Sequence, residues 1–204
     1  GDRVRMGDVA ASADVYIRSM ATRGNLGGLA GATRDAISVL GAVGRDWVVV
    51  ETVGVGQVET DIAGAADTTL VVVNPGWGDA IQANKAGLME IADVFVVNKA
   101  DRVGAHDTVA DLEAMLNLTG PNPAGHARWR APVVATVGTT GDGAARLVDA
   151  IEAHSAHQRE CGELARRRVS QRAERLTEVA GLRLKRSLDA VLDTDWGRSL
   201  RLEV

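Results

Sequence analysis

The sequence predicts an α/β protein: a mostly parallel β-sheet flanked by helices, with a long helical extension at its C-terminal end. Three observations lead there. Four apolar, β-branched runs of strand length are nearly continuous rather than alternating, as expected of strands covered on both faces. Segments of helical period separate them, joined by short turns, which is the pattern of βαβ units with right-handed crossovers. Of the 204 residues 46% are hydrophobic but only 3% aromatic, so Val, Leu, Ile and Ala must build the core.

In chain order, Val15–Met20 (VYIRSM) is a weak strand candidate, and about Leu29–Val43 has helical period. Trp47–Val53 and Thr69–Asn74 read as strands. A helix over about Asp79–Ala92 ends in Glu90-Ile91-Ala92-Asp93 and runs directly into a third strand, Asp93–Asn98. A helix follows at Asp107–Leu118. Asn117–Pro132 holds three of the four prolines and reads as a loop. The fourth strand, Ala131–Val137, leads into a helix over Gly143–His157. After Glu160 the character changes. Glu163–Leu192 has no proline, and Leu164, Val169, Leu176, Val179, Leu182, Leu188 and Leu192 recur at roughly helical spacing. Its arginines read as a solvated face paired with Glu160, Glu163, Glu174 and Glu178 rather than as an RNA surface. The apolar stripe has two outlets, packing back on the sheet or against a second subunit. The expected division is a domain over residues 1–158 and a helical extension over 159–204.

Bulk properties exclude several classes. A formal charge of −4 argues against general binding to nucleic acid or anionic membranes. No apolar run approaches the roughly 20 residues of a membrane span. Cys161 is the single cysteine, which excludes an internal disulfide and suits a reducing compartment. Gly1–Met6 has none of the make-up of a secretory leader. The expected location is the cytoplasm.

The chemistry centres on Asn98-Lys99-Ala100-Asp101, at the carboxyl end of a predicted parallel strand, where open α/β sheets bind ligands. The Asp101 carboxylate can accept two parallel hydrogen bonds, from the ring N–H and the exocyclic amine of guanine. Adenine presents the opposite pattern, so discrimination should be large. Asn98 can tie neighbouring loops together, and the Lys99 stem can lie over a base. Glu51 ends another β-branched run and is followed by Gly54 and Gly56. Phosphate-hydrolysing sites need such a carboxylate for Mg²⁺ and its water, then a glycine whose N–H meets the terminal phosphate, here Gly54. Gln57 suits two readings, orienting a water or simply filling the loop. Thr136–Gly143 (TVGTTGDG) also suits two. Either the backbone N–H groups near Gly138 and Thr139 meet a guanine oxygen, or this is an ordinary glycine-rich turn into a helix. A phosphate loop of the Walker A kind needs Gly-Lys followed by Ser or Thr. The three lysines, Lys85, Lys99 and Lys185, precede Ala86, Ala100 and Arg186, so these residues hold no such loop.

Taken in order, GDRVRM at Gly1–Met6, NLGG at Asn25–Gly28, ETVGVGQ at Glu51–Gln57, Gly78-Asp79 with Gln82 and Lys85, and NKAD at Asn98–Asp101 resemble the MeaB/ArgK family. These are P-loop GTPases that act as chaperones of adenosylcobalamin-dependent acyl-CoA mutases; an older name makes them lysine/arginine/ornithine transport-system ATPases or kinases. The resemblance covers about Gly1–His157 and fades in the last helix. It implies a P-loop GTPase fold whose first strand, Walker A loop and first helix precede GDRVRM, so the fold is expected to be incomplete at its N-terminal end. It implies GTP and GDP as ligands, with Asp2 and Glu51 around Mg²⁺ and Arg5 close to the nucleotide. Asn98, Lys99 and Asp101 then specify guanine, and Asp79, Gln82 and Lys85 belong to a segment coupling nucleotide state to the mutase. Two departures stand out: Val137 occupies a position where many such proteins have serine, and Asn74-Pro75-Gly76-Trp77 is an unusual approach to the coupling segment. A GTP-hydrolysing metallochaperone, dimeric through its C-terminal helices, is therefore the expected function. Its rivals are a binding or scaffold module without turnover, and a regulatory ATPase or kinase linked to basic amino-acid uptake.

Overall fold

A computed structural model of the chain describes residues 6–7, 12–20, 31–52, 64–76, 87, 90–118 and 129–194. Three parallel strands, β1 (Leu70–Val73), β2 (Val94–Asn98) and β3 (Val133–Thr136), form one sheet in that order. Phe95 lies opposite Val71 on one side and Val133 on the other, and Asn98 lies opposite Thr136. The fully described helices are α1 (Gly31–Ala42), α2 (Ala105–Asn117), α3 (Ala144–Glu160) and α4 (Glu163–Leu192).

The continuous apolar run of β2 is explained by what covers it. Phe95 and Val97 join Val73, Ala131 and the inward side chains of α2, namely Ala105, Leu112 and Met115. Val94 and Val96 point the other way, to Val134, with Leu147 and Ala150 of α3 against them. Successive strand residues thus feed opposite cores, and both must be apolar. On α2 the buried positions Ala105, Thr108, Leu112 and Met115 fall on one helical stripe. No described helix is long and apolar enough to cross a membrane.

Two expected strands do not form among the described residues. Residues 47–52 carry no regular structure, and Trp47 and Val49 are exposed. Val15–Met20 is likewise irregular, held at its start by the Arg45 guanidinium donating to the Asp14 carbonyl at 2.8 Å. β-branched composition becomes a strand only where a neighbour satisfies the backbone and packs the side chains, and neither run has one among the described residues. Of the helix expected at Asp79–Ala92, only Gly87, Glu90 and Ile91 are described, all helical, along with Ala92 beyond the helix.

The long helix α4 has the bounds read from the sequence, Glu163–Leu192. It follows α3 after Cys161 and Gly162, and its first half is fastened to the sheet by polar side chains. At the amino end of β2, the buried Asp93 carboxylate accepts the Thr69 N–H (2.8 Å) and two bonds from Arg167 of α4 (3.0 and 3.3 Å). His154 Nε2 of α3 lies 3.3 Å from the same carboxylate, while its Nδ1 meets Thr68 Oγ1 at 2.9 Å. Burial alone would raise the pKa of Asp93. The bonds from His154, Arg167 and the Thr69 amide, with the Arg167 charge, outweigh it and hold the carboxyl below its ordinary value. Around this hub, Gln158 and Arg167 both donate to the Asp67 carbonyl, Gln171 to the Ala66 carbonyl, and Arg168 to the Asp67 carboxylate. Trp129 donates its ring N–H to the Asp93 carbonyl at 2.7 Å and lies against His154.

The reading of the α4 arginines as a solvated, self-paired face is therefore half right. Arg166–Glu163 and Arg175–Glu178 are pairs within the helix. Arg167, Arg168 and Arg175 reach across to Asp93, Asp67 and Asp35. The apolar stripe is not buried by this packing: Val169, Leu176, Leu182 and Leu188 all remain exposed.

Candidate nucleotide-base site

β2 and β3 end side by side, and their last residues build the site. The backbone of β2 is fixed by neighbours on both edges, so the side chain that follows its last buried valine has a defined origin. That residue is Asn98. Its Oδ1 accepts the Gly138 N–H at 3.1 Å and the Thr136 hydroxyl at 3.4 Å. The next link is backbone to backbone: Ala100 N–H donates to the Thr136 carbonyl at 3.0 Å. The Asn98–Asp101 loop and the loop after β3 are thereby joined into one rim.

Lys99 sits between these two anchors with φ of 58°, the left-handed region, and no other non-glycine residue described has positive φ. For an L-residue that conformation costs roughly 1–2 kcal/mol. It persists because Ala100 is tied to β3 and the Arg102 N–H closes a turn onto the Lys99 carbonyl at 3.0 Å. Strain held in place by its surroundings concentrates at functional sites. Asp101 follows at the apex, exposed and with no hydrogen bond or ion pair to any described residue. A carboxylate at the carboxyl edge of a parallel sheet with both oxygens free is a ready acceptor for a ligand.

The loop after β3 is tightly closed. Val137 N–H donates to the Asp142 carbonyl at 2.9 Å, while Thr140 and Gly141 N–H groups both return to the Val137 carbonyl. The Thr140 hydroxyl donates to the Asp142 carboxylate at 2.8 Å. Thr139 is exposed, and its N–H makes no bond with a described residue. The structure thus brings together Asn98, Lys99, Asp101, Gly138 and Thr139, the group read from the sequence as the base-recognition half of a nucleotide site. Thr136, which also holds Asn98, carries no separate signal beyond its place at a strand end.

Glu51 is exposed and makes no bond with a described residue, so its carboxylate is available. Among the described residues no three His, Cys, Asp or Glu side chains gather as a metal-binding group. Mg²⁺ often takes only one or two protein carboxylates and fills its octahedron with water and phosphate oxygens, so a lone Glu51 fits an ion held chiefly by a nucleotide. Asp2, Arg5, Gly54, Gln57, Asp79, Gln82 and Lys85 lie outside the described residues.

Residues 1–191 match the family described as "Methylmalonyl Co-A mutase-associated GTPase MeaB". A Pyrococcus horikoshii protein provisionally named a GTPase is 49% identical over 187 residues, which is 91% of this chain and 59% of that protein. The mouse protein "Methylmalonic aciduria type A homolog, mitochondrial" is 32% identical over 174 residues, 84% of this chain and 41% of its own length. The chain thus spans about half the length of the curated relatives it matches. Among solved structures, that of a LAO/AO transport system kinase superposes with a TM-score of 0.63 at 27% identity, covering 85% of this chain and 55% of that one.

Proposed function

The chain belongs to the MeaB family of methylmalonyl-CoA mutase-associated GTPases, and we propose that the intact protein binds GTP, hydrolyses it with Mg²⁺, and acts as chaperone to an adenosylcobalamin-dependent acyl-CoA mutase. The observation that carries this reading is a bare Asp101 carboxylate close in sequence to an Asn98 locked to the end of β3 and the loop after it. In it, Asp101 accepts the guanine ring N–H and amine, Lys99 lays its stem over the base, and the Thr139 backbone N–H faces the guanine oxygen, beside a Gly138 whose own N–H is taken by Asn98. The phosphates are held by a Gly-Lys-Ser/Thr loop outside these residues. Glu51, with Asp2, would hold Mg²⁺, which supplies positive charge to the phosphates.

The roles of Arg5, Asp79, Gln82 and Lys85 rest on family resemblance, and those of Gly54 and Gln57 on their place after Glu51. Arg5 lies near the nucleotide, the Gly54 N–H meets the terminal phosphate, Gln57 orients a water, and Asp79, Gln82 and Lys85 carry nucleotide state to the mutase. Catalysis of this kind is positioning and electrostatics, slow until a partner completes the site. Residues 1–158 form the nucleotide domain and 159–204 the extension, whose exposed Val169, Leu176, Leu182 and Leu188 pair with a second copy in a homodimer. A cytoplasmic location suits such a protein.

The test is hydrolysis of GTP by the intact protein, alone and with a purified acyl-CoA mutase. Turnover of GTP over ATP, accelerated by the mutase, is the expected result. ATP used as well as GTP would favour the kinase-like rival, and no acceleration by any mutase would sink the chaperone role.

A further inference from the structure

Four glycines around the sheet rim and the last helices share one backbone conformation, and one of them differs in what surrounds it. Gly104, Gly141, Gly143 and Gly162 have φ of 85°, 82°, 79° and 73°. Three of these, Gly104, Gly143 and Gly162, stand immediately before α2, α3 and α4. A side chain at Gly104, Gly141 or Gly162 would enter open space. At Gly143 a Cβ would stand 2.2 Å from the Ala135 carbonyl oxygen, 3.1 Å from Thr136 Cα and 3.2 Å from the Ala135 carbonyl carbon.

Those neighbours cannot give way easily. All three atoms are backbone of β3, and Ala135 and Thr136 are registered against Val97 and Asn98 of β2. To restore ordinary contact the two segments must separate by roughly 1 Å. The segment free to retreat is the start of α3 with Asp142, and Asp142 is what closes the loop: its carbonyl accepts Val137 N–H at 2.9 Å and its carboxylate accepts the Thr140 hydroxyl at 2.8 Å. Opening that closure releases Val137 and, one residue on, Gly138, whose N–H is the bond to Asn98 Oδ1.

We propose that Gly143 is a positioning residue for base recognition: its missing side chain lets α3 close against β3, and that closure sets the Gly138–Thr139 backbone against the base edge. It touches no ligand and acts through Asp142, Val137 and Gly138. The inference rests on the guanine reading above and deepens it, by assigning the discrimination at the six-position of the base to the closure of this loop, separately from Asp101.

The experiment uses the intact protein and its Gly143→Ala and Gly162→Ala variants, titrated with fluorescent GDP and ADP analogues, with thermal melting measured alongside. Both variants place alanine at positive φ, so both lose some stability. Gly143→Ala should also weaken GDP binding by about tenfold to a hundredfold, the cost of misplacing recognition groups by about 1 Å, and shrink the GDP-over-ADP ratio. Gly162→Ala should leave that ratio at its wild-type value. Thr140→Val, which loosens the same closure without adding a clash, should move the ratio in the same direction by a few-fold and serves if Gly143→Ala does not fold. An unchanged ratio in Gly143→Ala, or in Thr140→Val where only that variant folds, overturns the proposal. So does an equal loss for both nucleotides. A wild-type protein with no preference for GDP overturns the guanine reading itself, and this inference with it.

Discussion

Two aspartates bracket the central strand, and the protein treats them in opposite ways. Asp93, at the amino end of β2, is buried and receives the Thr69 amide, both Arg167 nitrogens and His154. Asp101, past the carboxyl end, is exposed and receives nothing from any described residue. Roughly 17 Å of strand separates the two ends. A carboxylate whose bonds are all made by the protein is part of the framework. One held up by a strained residue with its bonds left open is reserved for something else. The helices obey the same division: α3 and α4 fasten themselves at the Asp93 end, while the loops gather at the Asp101 end.

The largest effect expected from breaking this contrast is at Asp93. Asp93→Ala leaves the partly exposed Arg167 guanidinium and the Thr69 N–H without their acceptor. A fully buried pair broken in this way costs about 3–5 kcal/mol, and contact of Arg167 with water reduces the expected loss to about 2–4 kcal/mol. Urea denaturation of the intact protein checks it; a loss below about 1 kcal/mol would show the hub to be incidental. The same group sets an acid dependence. Its folded value is depressed, so its stabilisation is complete above the ordinary carboxylate value of 3.8 and is lost as the pH falls through the lower folded value. Asp93→Asn should therefore be less stable than wild type at neutral pH, the gap closing only on the acid side of that value.

Asp101 should answer in the other currency. Asp101→Asn is expected to leave stability within about 0.5 kcal/mol, as for an unpartnered surface group. Guanine-nucleotide affinity should fall about a hundredfold or more, because the site then offers an amide where two donors need an acceptor. Nucleotide titration beside denaturation reads both at once. If Asp101→Asn costs stability and spares affinity, the two ends of β2 have been assigned the wrong way round.

What could be read beforehand divides along the same line. Asn98-Lys99-Ala100-Asp101 was legible because a contiguous tetrad follows a strand whose apolar run is unambiguous. The bounds of α4 were legible too, since Gly162 precedes an uninterrupted proline-free helical period. The hub was not: its members, Thr69, Asp93, His154 and Arg167, come from four places in the chain and meet only through tertiary packing. Each alone resembles a turn residue or a solvated charge. The described part of the Trp47–Val53 run, residues 47–52, departs from expectation for the complementary reason. Its composition promises a strand, but pairing is a property of a neighbour, and β-propensity does not record whether one is present. Exposure of the α4 leucines was hidden as well, because a periodic stripe looks the same whether or not anything lies against it.

The smallest expected effect tests the strained residue that joins the framework to the site. Lys99→Gly removes the left-handed penalty of roughly 1–2 kcal/mol. Glycine also gives the unfolded chain more freedom, which offsets about 0.4–1 kcal/mol of that gain. The net should be a stabilisation of about 0.5 kcal/mol, near the limit of denaturation measurements. Nucleotide affinity should nevertheless fall, since the stem over the base is gone and the turn that lifts Asp101 is less restricted. A residue that lowers stability where it stands, and whose removal lowers affinity, has its conformation kept for the ligand. Should Lys99→Gly leave affinity intact, the strain at φ of 58° belongs to the turn between β2 and α2, and Asp101 would owe its placement to the Ala100–Thr136 bond alone.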